Sequence, residues 1–276
     1  MSSLTDDRKR GKINMKPDYK NWMPKGMVCG FLGGTIAALA VTLMIGCAGF
    51  ISPGILKTVL TVLFSVLTVL LLGVTVWCRV LYRAFDYNGK RQMSKQIIDG
   101  TAAYITSLDG GKILDVGCGS GALSIAVAKR NPKAEVIGID RWGKEYASFS
   151  RSLCEKNAKA EGVSNVSFRQ EDAIHLDFAD ETFDAVTSNY VYHNIPGDRQ
   201  AYLLETLRTL KKGGTFALHD IFSKAKYGDM QSFVKKLEDM GYRKVELIDT
   251  TNGKFMEKSE AGWMGLSGSA VLTGIK

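Results

Sequence analysis

The sequence has few of the residues that build metal and redox sites. It contains no internal repeat and no low-complexity segment, and its 276 residues include only three histidines and five cysteines. No two cysteines form a C-x-x-C pair. We therefore expect no metal site, and isolated cysteines of this kind agree with a reducing compartment.

Charged residues are absent from two long apolar runs near the N-terminus. The first run covers residues 27–50 and the second covers residues 58–78. A helix rises about 1.5 Å per residue, so roughly twenty residues span the hydrocarbon core of a bilayer, which is about 30 Å thick. Only a helix satisfies its backbone groups within one segment there. The runs therefore predict two transmembrane helices, at 27–50 and 58–80, joined by an external turn at 51–57.

Positive charge flanks the two ends of this hairpin. The tail at 1–26 contains seven lysines and arginines against three aspartates, and Arg79 and Arg83 follow the second run, whereas the turn contains only Lys57. Because cytoplasmic flanks are enriched in lysine and arginine, we expect a two-pass plasma-membrane protein with both termini and the following domain in the cytoplasm. Residues 84–276 are nearly neutral, with 26 basic and 25 acidic side chains. The net charge of +8 therefore favours anionic lipid, and not nucleic acid, as a partner.

Two other interpretations of the apolar runs are weaker. A cleaved signal peptide has a shorter apolar core than residues 27–50 and is not followed at once by a second span. A buried helical hairpin in a soluble protein seldom has uncharged runs of this length. Gly30 and Gly34 form a G-x-x-x-G pattern, which favours packing within the hairpin, with a homodimer through the same helices as the alternative.

From Lys112 onward, short apolar runs alternate with amphipathic helical segments. This alternation is typical of βαβ units and a parallel sheet. The predicted strands lie at 112–116, 135–140, 166–170, 183–189 and 215–220, followed by an antiparallel closing pair at 242–249 and 268–275. The predicted helices lie at 122–130, 143–162, 199–212 and 229–241. We thus expect an α/β domain at 111–276, preceded by a juxtamembrane segment and substrate-side helix at 81–110.

The sequence after the first predicted strand is rich in glycine. Gly117, Gly119 and Gly121 lie at the carboxyl end of that strand, where a backbone without Cβ turns sharply and approaches a ligand closely. In an open α/β sheet this edge is the ligand crevice, and Asp140, which ends the second strand, is placed to bind ribose hydroxyls. An adenosine ligand is therefore favoured. Gly117, Gly119 and Ala122 also satisfy the dinucleotide pattern G-x-G-x-x-G/A, so these residues leave NAD and other nucleosides open.

Further motifs separate NAD from other nucleoside ligands. Together they resemble those of the class I S-adenosylmethionine-dependent methyltransferases. Asp115 completes an acidic-x-G-x-G-x-G motif as DVGCGSG, and the sequence EDA at 171–173 follows the third strand. FDAVTSNYVYHNI matches the fourth-strand motif of the family, and LKKGGTFAL matches its turn into the fifth strand. The resemblance covers residues 91–276. It implies S-adenosyl-L-methionine as cofactor and a Rossmann-like, doubly wound, mostly parallel seven-stranded sheet with an antiparallel last strand.

The resemblance also implies which residues bind the donor. The first motif would hold the methionine end, the acidic residue that ends the second strand would take the ribose, and the two residues beyond it would cover the adenine ring. The EDA sequence would read the edge of that ring, and the end of the fourth strand would lie near the sulfonium. In this order the residues are Asp115, Gly117, Cys118, Gly119 and Gly121; Asp140; Arg141 and Trp142; Glu171, Asp172 and Ala173; and Asn189.

The implied reaction does not depend on a general base. A sulfonium is an excellent leaving group, so positioning supplies most of the catalysis of an in-line displacement at its methyl carbon. The candidate bases are His193, Tyr190 and Tyr192 after the fourth strand and His219 with Asp220 at the end of the fifth. Tyr190 and Tyr192 are also suited to cation–π contact. The stretch SNYVYH is closer to small-molecule enzymes of the family than to those that methylate nucleic acid or protein amides.

The motifs and the apolar runs together predict a membrane-anchored methyltransferase. We expect a small, hydrophobic or lipid-like acceptor, because a hairpin anchor keeps the site near the bilayer. The alternative is a non-catalytic, membrane-tethered sensor or scaffold that binds a nucleoside, although its intact glycines and acidic residues disfavour this. An NAD-dependent oxidoreductase is the third and weakest interpretation.

Overall fold

The computed structural model describes residues 16–47, 51–105, 108–143 and 148–276. The chain divides into two compact units. One is helical and comprises Lys20–Ile97, and the other is an α/β unit that comprises Ile98–Lys276 with the residues up to Tyr19. In sequence, the helical unit is therefore an insertion between a short N-terminal segment and the rest of the α/β unit.

Two long helices make up most of the helical unit. Helix α1 is Lys25–Cys47 and helix α2 is Ile55–Ala84. Most of their large apolar side chains are exposed, up to 86% at Ile55. Both helices are long and apolar enough to cross a bilayer, by length and composition alone. The predicted runs fall on these helices, apart from residues 48–50, which lie outside the described part of the chain.

Pairs of threonines lie along the contact between α1 and α2. The hydroxyl oxygens of Thr35 and Thr75 are 2.9 Å apart, and those of Thr42 and Thr68 are 3.4 Å apart. Each hydroxyl is also within bonding distance of the carbonyl four residues earlier in its own helix. Small polar side chains of this kind let apolar helices approach closely while their donors stay satisfied. Gly34 also faces α2.

Aromatic residues gather at the end of the hairpin where α1 begins and α2 ends. The Asn21 side-chain amide donates to the Tyr82 carbonyl at 2.7 Å, and the ring of Trp22 packs on that of Phe85 with centroids 5.5 Å apart. Arg83 lies in the last turn of α2 at the same end. Tryptophan, tyrosine and basic side chains are the residues that membrane proteins place at the boundary between lipid and water.

A seven-stranded sheet forms the centre of the α/β unit. Its strands are β1 (Lys112–Val116), β2 (Glu135–Asp140), β3 (Val166–Gln170), β4 (Phe183–Asn189), β5 (Leu210–Ile221), β6 (Arg243–Asp249) and β7 (Ser269–Ile275). They lie in the order β3-β2-β1-β4-β5-β7-β6. Strands β1 to β5 are parallel, and β7 is antiparallel to both of its neighbours. The predicted α/β fold, with its mostly parallel sheet and antiparallel last strand, is confirmed.

Helices connect most of these strands. They are α4 (Ala122–Arg130), α5 (Arg151–Ala160), α6 (Arg199–Arg208), α7 (Lys224–Tyr227), α8 (Met230–Asp239) and α9 (Lys258–Met264). Helix α3 (Met93–Ala102) begins in the helical unit and ends in the α/β unit. A 3-10 turn at Tyr192–Asn194 follows β4.

The helix predicted at 143–162 is shorter in the structure. It begins only after Ser150, whose hydroxyl accepts the Leu153 N–H at 3.2 Å and so caps the first turn. Residues 144–147 of that prediction lie outside the described residues. Helical periodicity extends through the segment, but the cap sets the actual start.

The helix predicted at 199–212 also ends early. It stops at Arg208, and Leu210 already pairs with Phe183 in the sheet. Both of these apolar side chains are fully buried. Strand pairing and burial in the core therefore outweigh the helical periodicity at this point.

Large apolar side chains from strands and helices form one core around the sheet. Phe183, Phe216 and Leu272 contribute from strands, and Leu207 and Phe233 from α6 and α8, all of them almost fully buried. Burial of apolar surface stabilises such a core by roughly 25 cal/mol per Å². This packing holds the carboxyl ends of β1, β4 and β5 in register with one another.

Candidate active site

The sheet has a point at which its strand order reverses direction. From β1 the order continues through β2 to β3, whereas β4 leads through β5 toward the opposite edge. In open α/β sheets, ligands bind in the crevice beyond the carboxyl ends of the strands at this point. The loops that begin at Gly117, after β1, and at Tyr190, after β4, therefore frame the candidate site.

The glycine-rich loop after β1 brings its backbone toward the crevice. Gly117, Gly119 and Gly121 have φ angles of +73°, +56° and +83°, in the left-handed region that favours glycine. A Cβ at Gly117 would lie 2.3 Å from the Val191 side chain, so the loop after β4 closes directly on this glycine. A Cβ at Gly119 would meet only Phe149, at 3.9 Å. The backbone at Gly119 thus has room beside it.

Asp140 ties the glycine-rich loop to the end of β2. Its two carboxylate oxygens accept the Gly119 N–H at 2.9 Å and the Trp142 N–H at 2.7 Å. The Trp142 indole N–H donates in turn to the Gly119 carbonyl at 2.9 Å. Trp142 has a φ of +44°, which is uncommon for a residue with a side chain. Arg141, between these two residues, is exposed.

Asp115 is fully buried and only half satisfied. One carboxyl oxygen accepts the Ser124 hydroxyl at 2.5 Å, while the other has no hydrogen-bond partner within the described ranges. Burial raises the pKa of Asp115 to about 7; the Ser124 bond opposes this and the charge of Asp140 adds to it. A buried, unpartnered oxygen of this kind is suited to a cationic or N–H group of a ligand.

Asn157 supports the glycine-rich loop from α5. Its side-chain amide donates to the Ser120 carbonyl at 2.9 Å and to the Asp18 carbonyl at 3.0 Å, and its oxygen accepts the Asp18 N–H at 2.7 Å. Tyr19 donates to Glu161 at the end of the same helix. The segment ahead of α1 is thereby joined to the loop through one buried side chain. No sequence motif points to this contact, because Asp18 and Asn157 are 139 positions apart.

The cysteines of the site are buried thiols. Burial and the neighbouring Cys154 raise the pKa of Cys118 well above its ordinary value. The Cys154 thiol lies 3.2 Å from the Gly119 carbonyl. The Cys118 thiol therefore packs as a neutral group within the loop, and the Cys118 backbone N–H donates to the Ile139 carbonyl.

The EDA sequence lies in the loop after β3. The Glu171 N–H donates to the Asp140 carbonyl at 3.2 Å, which joins this loop to the end of β2. The Asp172 carboxylate accepts the backbone N–H two residues further on, at 3.0 Å, and Ala173 packs at the margin of the core. The three residues thus stand beside Asp140, on the side of the crevice formed by β2 and β3.

His193, in the 3-10 turn after β4, is held by a buried carboxylate. Its Nδ1 lies 2.5 Å from Asp220 in β5, and the two side chains are 12% and 1% exposed. Burial alone would raise the pKa of Asp220, but the hydrogen bond and charge of His193, with the Ile221 N–H, hold it below its ordinary value. The pair is 27 positions apart and belongs to two different motifs, so neither motif alone indicates it.

His219 and Tyr190 have their polar atoms engaged within the fold. The ring nitrogens of His219 lie 2.7 Å from Asn189 Oδ1 and 3.1 Å from the Thr250 hydroxyl. Burial lowers the pKa of His219 to about 3, so the ring is neutral. The Tyr190 hydroxyl lies 2.8 Å from that of Ser269, and burial raises its pKa above the ordinary value. These two rings pack in a tilted arrangement, with centroids 4.6 Å apart and an interplanar angle of 52°.

Comparison with known proteins decides the family. A family model described as a methyltransferase domain matches residues 107–261, more than half of the chain. The chain belongs to this methyltransferase family. The resemblance to S-adenosylmethionine-dependent methyltransferases that the motifs predict is thereby confirmed, and S-adenosylmethionine is the cofactor that the family implies.

Curated relatives of this methyltransferase chain match over part of their length. An arsenite methyltransferase of Aquipseudomonas alcaligenes is 34% identical over 126 residues, which cover 44% of this chain and 36% of that protein. A demethylmenaquinone methyltransferase of Bacillus velezensis is 31% identical over 143 residues, which cover 51% of this chain and 59% of that protein. The chain therefore spans less than two thirds of the length of these relatives.

Solved structures show the same fold. A geranyl diphosphate methyltransferase in complex with GPP and sinefungin has a TM-score of 0.53 and 13% identity, covering 70% of this chain and 82% of that chain. The cyclase SpnF has a TM-score of 0.51 and 22% identity, covering 69% of this chain and 85% of that chain. At this level of identity, the two neighbours establish the fold alone.

The residues of the methyltransferase site fit S-adenosylmethionine. The unpartnered oxygen of Asp115 suits the cationic end of an amino acid, and the backbone at Gly119 has space for a close approach. Asp140 ends β2, where folds of this type hold a ribose. When bound, the cofactor supplies an activated methyl group on a sulfonium.

We expect the free energy of unfolding to fall with rising pH because of Asp115. Its folded pKa of about 7 exceeds the ordinary 3.8, so this stabilisation is complete below pH 3.8 and is lost as the pH approaches 7. Between pH 5 and pH 7 the loss is about 2 kcal/mol, because the slope of roughly 1.4 kcal/mol per pH unit falls to half at the folded pKa. Urea unfolding in mild detergent at these pH values measures it.

The matched variants for this experiment are Asp115→Asn and Asp239→Asn. The first removes the titrating carboxyl and flattens the dependence, whereas the second removes an exposed carboxyl of α8 and keeps the wild-type slope. Equal slopes for wild type and Asp115→Asn would contradict the assignment.

Proposed function

We propose that this chain is a two-pass, membrane-anchored, S-adenosylmethionine-dependent methyltransferase of the plasma membrane. Its α/β unit lies in the cytoplasm and methylates a small, hydrophobic or lipid-like acceptor. One observation carries the proposal: a single chain joins a methyltransferase domain to two helices whose apolar side chains are exposed.

The lengths of the two helices support the anchor. Helix α1 has 23 residues and helix α2 has 30, which correspond to about 35 Å and about 45 Å. Their exposed apolar surface requires an apolar environment, and a bilayer core about 30 Å thick supplies one. The basic residues at the end where α1 begins and α2 ends favour the cytoplasmic side for that end.

The donor site is proposed to use the residues of the glycine-rich loop and its neighbours. Asp115 and the backbone from Gly117 to Gly119 would bind the methionine end, and Asp140 would bind the ribose. Trp142 and the EDA sequence would surround the adenine ring, and Asn189 lies at the end of β4 beside the crevice. These groups bind and orient the donor, and such positioning is the main source of rate for an in-line displacement.

The nature of the acceptor is inferred from the anchor and from the relatives. An enzyme held at a bilayer gains most when its acceptor is dissolved there. Demethylmenaquinone methyltransferases are among the relatives. The arsenite methyltransferase is named for an inorganic acceptor, so sequence similarity alone does not select the class.

A second candidate function is binding without methyl transfer. A methyltransferase-like fold does not by itself establish methyl transfer, because one fold hosts several chemistries. The present chain would then be a membrane-tethered sensor or scaffold. The oxidoreductase interpretation has no support in the comparisons described above.

Asp140→Ala should weaken binding of S-adenosylmethionine by at least about 30-fold, or about 2 kcal/mol. The substitution removes the proposed ribose acceptor together with the two N–H contacts that hold the loop. Isothermal titration of the full chain in detergent measures the affinity, with NAD titrated in parallel. Asp177→Ala, an exposed carboxyl, is the matched control. Unchanged donor affinity in Asp140→Ala, or tighter binding of NAD than of the donor, would contradict the proposal.

Isotope transfer tests the acceptor class. The full chain is incubated with methyl-labelled S-adenosylmethionine and a membrane lipid extract from its host, and we expect a labelled product in the organic fraction. Label confined to the aqueous fraction would refute a hydrophobic acceptor. Donor binding without any labelled product would favour the sensor or scaffold.

Cysteine labelling tests the topology. In intact cells, a membrane-impermeant maleimide should label Lys57→Cys, which lies near the start of α2, above the wild-type background. Asp239→Cys, on the α/β unit, should be labelled only after permeabilisation. The reverse pattern would overturn the proposed orientation, and labelling of both in intact cells would overturn the anchor.

A further inference from the structure

Asp220 is surrounded by hydrogen-bond donors, and this arrangement determines which tautomer the His193 ring adopts. Its carboxylate accepts the backbone N–H groups of Tyr192, His193 and Ile221 at 2.9, 3.2 and 2.7 Å. In addition, Nδ1 of the His193 ring lies 2.5 Å from one of its oxygens. An ionised carboxylate offers only acceptors, so the hydrogen in the last contact belongs to Nδ1. In the neutral ring, the free lone pair is therefore on Nε2.

This pair stands beside the glycine-rich loop. His193 lies two residues after Val191, whose side chain occupies the space that a Cβ at Gly117 would need. Asp220 follows His219 in β5, and His219 pairs with Asn189 at the end of β4. Over the ranges that the structure describes, no hydrogen bond is formed by Nε2 of His193. The ring thus leaves Nε2 available in the turn that lies next to the glycine-rich loop.

The charged and titratable neighbours of the ring come from each adjoining element. The centroids of the Tyr190 and His193 rings are 5.9 Å apart. His219 is close enough for its pKa to be lowered by a positive charge on His193. From α7, Lys226 donates to the His193 carbonyl at 3.2 Å, and Tyr227 lies beside the Asp220 carboxylate. Asp220 is the only carboxylate among these neighbours and the one that contacts the ring.

We infer that His193, positioned by Asp220, accepts a proton from the methyl acceptor, whose attacking atom is therefore a hydroxyl or phenol oxygen or an acidic carbon. The inference rests on the proposed function. A bond forms between that atom and the methyl carbon while the carbon–sulfur bond of the donor breaks and its electron pair stays on sulfur. The proton of the acceptor passes to Nε2, and Asp220 stabilises the resulting imidazolium.

The need for a proton acceptor separates classes of acceptor. A thiolate, a neutral amine or an arsenite has an available lone pair and attacks a sulfonium without a base, because the leaving group is already activated. A hydroxyl or a C–H group is a poor nucleophile until its proton leaves. A largely buried histidine–carboxylate pair in the turn beside the donor loop therefore suits the second class. Of the relatives compared above, the quinone-type acceptor agrees with this class and the arsenite does not.

The ring tautomer of His193 tests the geometry without any acceptor. The chain has three histidines, so ring-labelled histidine gives three nitrogen spectra, which His175→Gln and His193→Gln assign. We expect His193 to carry its proton on Nδ1 in the neutral wild-type protein. In Asp220→Asn, the amide can donate to Nδ1, so the proton moves at least partly to Nε2. A wild-type His193 protonated on Nε2 would overturn the inference, even if Asp220→Asn does not fold.

Steady-state kinetics, measured by formation of the labelled lipid product, test whether His193 accepts the proton. His193→Gln should lower kcat by at least about 100-fold and leave the KM for S-adenosylmethionine within about twofold, because the base does not bind the donor. His175→Gln, whose side chain is 89% exposed, should keep wild-type kinetics. In Asp220→Asn, the acidic limb of the pH profile of kcat/KM should move to lower pH, because the imidazolium loses its carboxylate partner.

The position of the new methyl group decides the acceptor class. A methyl group on oxygen or carbon supports the inference, whereas one on sulfur, nitrogen or arsenic overturns it, as does a wild-type kcat in His193→Gln. Absence of any product contradicts the proposed function, and the tautomer then still decides whether Asp220 orients His193 as inferred.

Discussion

The candidate site depends on the missing side chain at Gly117. Any Cβ there would come within 2.3 Å of Val191, so the loop after β4 approaches the loop after β1 only because this residue is glycine. That approach places the turn containing His193 next to the donor loop. The positive φ of Gly117 satisfies a second requirement of the same turn. One small residue thus joins the part of the site that fits a donor to the part that contains His193.

Most of the fold follows from patterns that are local in sequence. Strands β1 to β4 lie where apolar runs predict them, because each is short, buried and bounded by turns. Local patterns do not predict the residues at which α5 and β5 begin. A serine cap shortens α5, and the burial of Leu210 opposite Phe183 converts the last turn of a predicted helix into strand. Each depends on a specific partner, and periodicity contains no information about partners.

The same distinction applies to the site. Residues that lie within one motif, such as Asp115 and Gly119, are indicated by the sequence itself. The contacts that set their geometry are distant: Asp140 binds Gly119 across 21 positions, and Asp220 binds His193 across 27. His219 illustrates the converse, since its place at a strand end predicts a base while the structure engages both of its nitrogens. Chain position indicates where a group lies, and only its neighbours show what the group is able to do.

Asp115 has a consequence for the electrical balance of the interior. A carboxyl with a pKa of about 7 and one bare oxygen keeps its proton for much of the time near neutrality. In the proposed enzyme, the arrival of a cationic donor group would displace that proton, since two positive charges would otherwise compete for one buried oxygen. Loading would then be an exchange of one cation for another at Asp115, and this carboxyl group with its bound cation would carry no net charge before or after it. Such a pocket would bind its ligand without placing an uncompensated charge in a low-dielectric core.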